Sequence, residues 1–422
     1  MQTSERLYYS DSFLKRFAGS VCTMREMKGA GGEPIWQLAL DRTAFYPTSG
    51  GQPFDAGVLS AHSHDGTPFE IPVEQVEEDE DGEVWHYVRQ PLAPGTAVEG
   101  QIDWDRRFDH MQQHTGQHLL SAVFLKELHA PTVSFHLGES TSTIDLSGGP
   151  LARHSLERVE RMANQVIAED RPVTSRYLSQ ADAEQMLAAG ELRKLPERQG
   201  TIRLIEIADC DRNACGGTHV RSTGQIGGLL VRGVEKVSRG MRVEFLCGLR
   251  AVRAARVDAA ILGETSALLS TGAAELPAAV ARVLAAEKAG AKERQRLREE
   301  LAVLQAAALA AEVPVENGLR LIVRAWKERD RDFVRLLASR MAAAAEATAV
   351  IFCAEEAEPA RIFIARSRDL SFNCGQILRE ELARLGLRGG GSADLAQGDV
   401  PSQQAPALQA SLAEAIRKSI AR

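Results

Sequence analysis

His114 and His118 stand four residues apart in HTGQHLL, and Cys215 and His219 repeat that interval in CGGTHV. Residues four apart on a helix share a face about one turn from each other, so the first pair can converge on a common point. Gly216 and Gly217 argue against a helix for the second pair and for a tight loop that turns both side chains the same way. One thiolate with three neutral imidazoles is a donor set suited to Zn2+, the thiolate offsetting part of the ion's charge. Other donors lie close by. His110 precedes His114 by one turn and Cys210 precedes Cys215 by five residues, so spacing alone lets either take a ligand's place. The competing structural reading is a buried helix whose histidines are satisfied by hydrogen bonds, with an inert core cysteine. The frame also excludes one chemistry: a zincin peptidase has Glu directly after the first His of HExxH as its general base, and Thr115 stands there instead.

The elements that must position these donors form an α+β multidomain chain. Residues 105–128 show helical periodicity, with Leu120, Val123, Phe124 and Leu128 on one face. TVSFHLGESTSTIDL alternates like a pair of strands, HSLERVERMANQVIAED reads as a helix, and TIRLIEI, GGLLVRGVEKV and MRVEFLC read as strands. Residues 105–250 are thus one mixed α+β domain carrying all four donors. Residues 1–104 show short apolar stretches such as WQLAL and VWHYV between closely spaced turn residues, the pattern of a small antiparallel β-barrel or sandwich. Residues 251–312 form a helical connector, a hairpin or short coiled coil, in which Leu297, Leu301, Leu304 and Ala308 keep a seam-like spacing. Residues 313–422 alternate strands and helices as a separate α/β domain.

At 422 residues the chain exceeds what one core usually organises. Its net charge of −7 gives no global reason to expect a polyanionic partner. A local exception runs from Arg212 to Arg253, where eight basic residues meet two acidic ones, a candidate phosphate-facing surface that includes Arg232, Lys236, Arg239 and Arg242. No apolar run is long enough to span a bilayer and the N-terminus lacks a secretory pattern, so a cytoplasmic protein without membrane association is expected. The cysteines are too scattered for a disulfide framework.

Several longer stretches carry a resemblance. TAFYPTSGGQPFDAG (43–57), RRFDHMQQHTGQHLLSAV (106–123), VSFHLGESTSTIDL (133–146), CGGTHV and GMRVEFLCG (240–248) together resemble the free-standing alanyl-tRNA editing proteins, akin to the editing domain of alanyl-tRNA synthetase. RGGGSADLAQG (388–398) resembles the DHH-associated C-terminal domain of those synthetases, which implies the long form of the family. The resemblance implies Zn2+ on His114, His118, Cys215 and His219 rather than on His110 or Cys210. It sets Gln117, Ser134 and His136 near the aminoacyl end of the substrate, and Gly50, Gly51 and Gln52 beside the editing cleft, where the plainer reading is a turn between strands. Gly389, Gly390 and Gly391 can bring backbone amides close to a phosphate. The implied activity is hydrolysis of mischarged Ser-tRNA(Ala), and of Gly-tRNA(Ala), with tRNA as partner and a homodimer through the C-terminal half. No catalytic residue beyond the metal site is assigned. The tail lacks the Asp and His series of a DHH phosphoesterase, and no stretch corresponds to an aminoacylation domain.

Overall fold

A computed structural model of the chain describes residues 3–420 apart from 29–31, 64, 191, 193–194, 196–199 and 239. It forms two compact units, Met1–Glu264 and Thr265–Arg422. The first opens with seven antiparallel strands: β1 (Arg16–Lys28), β2 (Pro34–Leu40), β3 (Gly57–His62), β4 (Pro68–Val73), β5 (Gln75–Glu78), β6 (Val84–Val88) and β7 (Ala97–Ile102). WQLAL and VWHYV fall in β2 and β6, where the sequence puts them. The strands form one sheet in the order β4-β3-β7-β1-β2-β6-β5. Strand β1 serves both halves. Its residues 16–20 pair with β7 and residues 21–28 with β2, and the register shifts between Val21 and Thr23. A bulge of this kind bends a strand, and the folded sheet encloses Leu38, Phe45, Leu59, Ile71 and Val84. No pairing of β4 with β5 closes it among the described residues.

Helix α1 (Trp104–Leu128) begins where the Asp103 carboxylate accepts a hydrogen bond from Arg106 N at 3.2 Å, which satisfies one of the helix's free N–H groups. It ends at His129, whose φ of 51° is left-handed. From His110 to Phe124 every residue is buried, so its polar side chains need partners. Gln113 donates to Cys247 O at 3.0 Å and accepts from Cys247 N at 2.8 Å, pairing as a strand would. Gly116 is set by approach: a Cβ there would lie 2.3 Å from Cys247 Sγ.

Then come β8 (Thr132–Leu137), β9 (Ser142–Leu146), α2 (Arg153–Ala168), β10 (Val173–Leu178), β11 (Ile202–Ile207), β12 (Asp211–Ala214), β13 (Leu229–Val237) and β14 (Gly240–Cys247). They form a four-stranded sheet, β8-β9-β14-β13, and a three-stranded one, β10-β11-β12. The first shares a core with α1 and α2 through Leu120, Phe124, Ile144, Val159 and Phe245. Two helices follow, α3 (Gly248–Leu268) and α4 (Leu276–Glu312).

The second unit adds β15 (Arg320–Trp326), α5 (Arg331–Ala344), β16 (Thr348–Ala354), β17 (Ala360–Arg366), α6 (Cys374–Arg384), β18 (Gly389–Gly391), β19 (Leu395–Val400) and α7 (Ala405–Ile420). Their sheet runs β15-β16-β17-β19-β18, and β15 with β16 is its one parallel pair. The leucine seam expected on α4 is not what packs. Leu297, Leu301, Leu304 and Ala308 are exposed, whereas Ala302 and Ala306 are fully buried with Phe333, Leu337 and Met341 of α5. Small side chains let two helices approach closely, so the buried stripe is written in alanine. No single helix among the described residues is long and apolar enough to cross a membrane.

Candidate metal centre

The four donors of His114, His118, Cys215 and His219 lie within 4.8 Å of one another, close enough to hold one metal ion. The three histidines are buried and Cys215 keeps some exposure. Cys215 Sγ stands 3.4 Å from both His114 Nε2 and His219 Nε2. Helix α1 supplies two ligands at one-turn spacing, and the loop leaving β12 supplies the other two.

Each imidazole is oriented from behind. Gln52 Oε1 accepts from Thr218 N at 3.0 Å, which fixes which end of the amide is oxygen, and it lies 2.8 Å from His114 Nδ1. An amide oxygen can only accept, so His114 carries its proton on Nδ1 and presents the Nε2 lone pair to the cluster. Thr115 Oγ1 meets His219 Nδ1 at 3.1 Å while accepting from Val220 N at 3.2 Å. Asp211 Oδ2 lies 3.3 Å from His118 Nδ1 without making a hydrogen bond to it. Partners of this kind set ring orientation and raise the basicity of a metal-binding histidine.

The charges suit a cation. Burial opposes ionisation of Cys215, yet the neighbouring His114 and His219 outweigh it and hold the thiol well below its usual range. The Gly217 amide also donates to the sulfur at 3.4 Å. His219 is pushed down to about 3, first by burial and then by His114. A thiol inclined to ionise and an imidazole, His219, inclined to stay neutral are the forms in which these groups bind metal.

Glycines bring the parts together. Gly50 and Gly51, at φ +54° and +78°, make the turn that delivers Gln52, and a Cβ on Gly51 would lie 2.7 Å from the Phe135 ring. A Cβ on Gly217 would lie 2.2 Å from His114 Cε1. The glycine motif is thus both a turn and part of the centre's support. Sequence reasoning missed Asp211 and Arg203; Arg203 Nη1 donates to Cys215 O at 3.0 Å and Gly217 O at 2.7 Å, pinning the loop to β11. It also missed Arg107 and Asp55, a fully buried ion pair that ties α1 to the loop ahead of β3. A charged residue inside an apolar run was an available signal for Arg203 alone, in TIRLI.

Other expected residues do not converge on the cluster. His110 and Cys210 are not among its donors. His110 is pushed down to about 3 by burial and then by Arg106 and Arg250. Ser134 and His136 occupy the exposed face of β8, where Ser134 donates to Asp145 at 2.8 Å; the residue between them, Phe135, turns inward with its ring 5.9 Å from that of His114. The strand's period of two separates them. Gln117, by contrast, is buried beside the ligand His118. Of the basic candidates, Arg232 pairs with Asp258, Arg242 pairs with Asp145 at 2.7 Å, Lys236 is exposed, and Arg239 lies outside the described residues. Gly389 and Gly391 are held by packing, since a Cβ on either would lie 2.3 Å from a neighbour, while Gly390 faces open space.

Residues 202–243 match the family described as the threonyl and alanyl tRNA synthetase second additional domain, and residues 2–106 match tRNA synthetases class II (A). The chain is 31% identical over 405 residues to the alanine–tRNA ligase of Pyrococcus abyssi, an alignment covering 93% of this chain and 42% of the ligase. It is 30% identical over 411 residues to the alanyl-tRNA editing protein AlaX-L of Pyrococcus horikoshii, covering 94% of this chain and 95% of that one. The crystal structure of the C-Ala domain of Aquifex aeolicus alanyl-tRNA synthetase is 23% identical, with a TM-score of 0.22, and covers 24% of this chain and 94% of that domain. The chain is therefore built from domains of the alanyl-tRNA synthetase kind, although it spans less than half of the ligase it matches. It belongs to the alanyl-tRNA editing protein family, in its long form.

Proposed function

We propose that the protein is a trans-acting editor: a Zn2+-dependent deacylase that hydrolyses Ser-tRNA(Ala), and Gly-tRNA(Ala), and spares Ala-tRNA(Ala). The observation that carries this is the four-donor cluster with its oriented imidazoles, in a chain that aligns with an editing protein over nearly the length of both. A synthetase pocket shaped for alanine discriminates against a smaller or hydroxylated neighbour by only about 1–3 kcal/mol, so a second site has to remove the errors. When bound, zinc supplies polarisation of the ester carbonyl or a lowered pKa for an attacking water. Gln52, Thr115 and Asp211 keep the imidazoles aimed, and Phe135 walls the cluster with an apolar ring. Gln117 supplies the polar group that a serine hydroxyl satisfies and an alanine methyl does not. Exposed Lys236 and the open face of Gly390 are the candidates for meeting tRNA phosphates.

One feature favours a second reading, a noncatalytic tRNA-binding protein with a structural zinc. Four protein donors fill a tetrahedron, whereas catalytic sites usually keep a position open. Deacylation of one tRNA carrying serine, glycine or alanine separates the readings, run beside elemental analysis of wild type, Cys215→Ala and Cys210→Ala. The editing reading expects fast loss of serine, slow loss of alanine, and zinc missing from Cys215→Ala alone. Equal rates for serine and alanine would sink it.

A further inference from the structure

Gln117 is 5% exposed, yet its Oε1 has no hydrogen-bond partner among the described residues. The other end of its amide is held: Nε2 donates to Ser121 Oγ at 2.9 Å, and Thr132 Oγ1 donates to that same oxygen at 2.7 Å. Ser121 is fully buried one turn further along α1, and Thr132 is the first residue of β8. Around a helix of 3.6 residues per turn, Gln117 lies about 60° from His114 and Ser121 about 20° from it on the same side, with His118 about 40° to the other. The serine–glutamine stripe therefore flanks the ligand pair directly. A buried acceptor with nothing donating to it is costly and rare, so an unpaired oxygen on the residue next to the cluster's His118 points to a group that donates.

We propose that Thr132, Ser121 and Gln117 act in series to read the side-chain hydroxyl of the serine ester. Thr132 and Ser121 are positioning residues that hold the Gln117 amide with its oxygen turned to the substrate, and Gln117 Oε1 accepts the serine O–H. An alanine methyl has no proton to give; seating it dries the oxygen and returns nothing. Glycine brings no side chain and is indifferent to the series. This rests on the deacylase reading above and adds two residues, one on a different element from the ligands, which the discrimination requires.

The test compares kcat/KM for Ser-, Ala- and Gly-tRNA(Ala) in wild type, Ser121→Ala, Thr132→Val and Thr132→Ser, with zinc content and thermal unfolding measured on each. Ser121→Ala and Thr132→Val are expected to lower the serine-to-alanine ratio about tenfold, the worth of one well-placed hydrogen bond. Thr132→Ser keeps the hydroxyl and should keep the ratio, and the glycine rate should move in none of them. Loss of packing alone would slow all three substrates together and leave the ratio unchanged. A wild type that prefers serine, with zinc-loaded Ser121→Ala and Thr132→Val variants that prefer it equally, overturns this proposal alone. A wild type that hydrolyses none of the three overturns the deacylase reading and this one with it.

Discussion

Replacing Gln52 by alanine removes no ligand and should nonetheless weaken the metal centre. The Gln52 amide is fully buried and makes three contacts: its oxygen faces His114 Nδ1 at 2.8 Å and Thr218 N at 3.0 Å, and its nitrogen donates to Thr218 Oγ1 at 2.8 Å. Truncation leaves the His114 Nδ1 proton and the Thr218 amide without acceptors, at about 1–3 kcal/mol each. Water entering the vacated space recovers part of this, so the apoprotein should lose about 2–4 kcal/mol of stability. The metal feels a separate effect. Without its outer partner His114 is free to rotate and less basic, and loss of such a partner typically costs 10–100-fold in affinity, or about 1.4–2.8 kcal/mol. Competition of the purified protein against a chromophoric zinc chelator measures the affinity, and urea unfolding in excess chelator measures the stability. Gln52→Glu, which keeps the acceptor toward His114 but gives up the donor to Thr218, should hold zinc better than Gln52→Ala. If Gln52→Ala binds zinc within about twofold of wild type while its apo form is destabilised, the contact to His114 is structural only and the outer-partner argument fails.

Four other substitutions test the packing. Gly116→Ala should gain up to about 1 kcal/mol in helix propensity but set a Cβ 2.3 Å from Cys247 Sγ, at about 1–3 kcal/mol of overpacking; urea unfolding should show no gain, and a clear rise in stability would refute the close approach. Asp55→Ala leaves the fully buried Arg107 guanidinium without its counter-ion and should cost about 3–5 kcal/mol, read as a lowered Tm of the first unit. On α4, Ala302→Leu should destabilise the second unit by about 1–3 kcal/mol while Leu304→Ala stays within about 0.5 kcal/mol; the reverse order would restore the leucine seam.

The ligand pairs were legible because the features that reveal them are local: a four-residue interval on a periodic helix, and glycines beside a cysteine. Their supports were not. Gln52 lies 62 residues from His114 in sequence, and nothing in GGQ announces which imidazole it will meet. Thr115 could be noticed only as the absence of a peptidase's glutamate, whereas in the fold it bridges His219 and the Val220 amide. Ser134 and His136 came with a resemblance to a stretch of sequence, and a stretch does not say which residues face inward; in β8 those two are exposed and it is Phe135 whose ring lies 5.9 Å from that of His114. The leucines of α4 misled for a related reason. Hydrophobic type says what can be buried, but the closeness of α5 decides what is, and that contact took alanine.

The four donors are gathered from separate parts of the first unit. His114 is braced from the loop after the first strands, His219 from α1, and His118 from β12, so three parts of the first unit are fixed to one point. No such cluster exists in the unfolded chain, so an ion held by these four donors would add directly to folding stability. Cys215 stands apart from the others: it keeps some exposure and sits on a glycine loop held from behind by Arg203 through two carbonyls. Gln52 and Thr115 meet the outer nitrogens of His114 and His219, Asp211 lies near that of His118 without a hydrogen bond, and the sulfur receives the Gly217 amide. Of the four donors the sulfur is the one that keeps exposure, so it marks the side of the cluster nearest solvent.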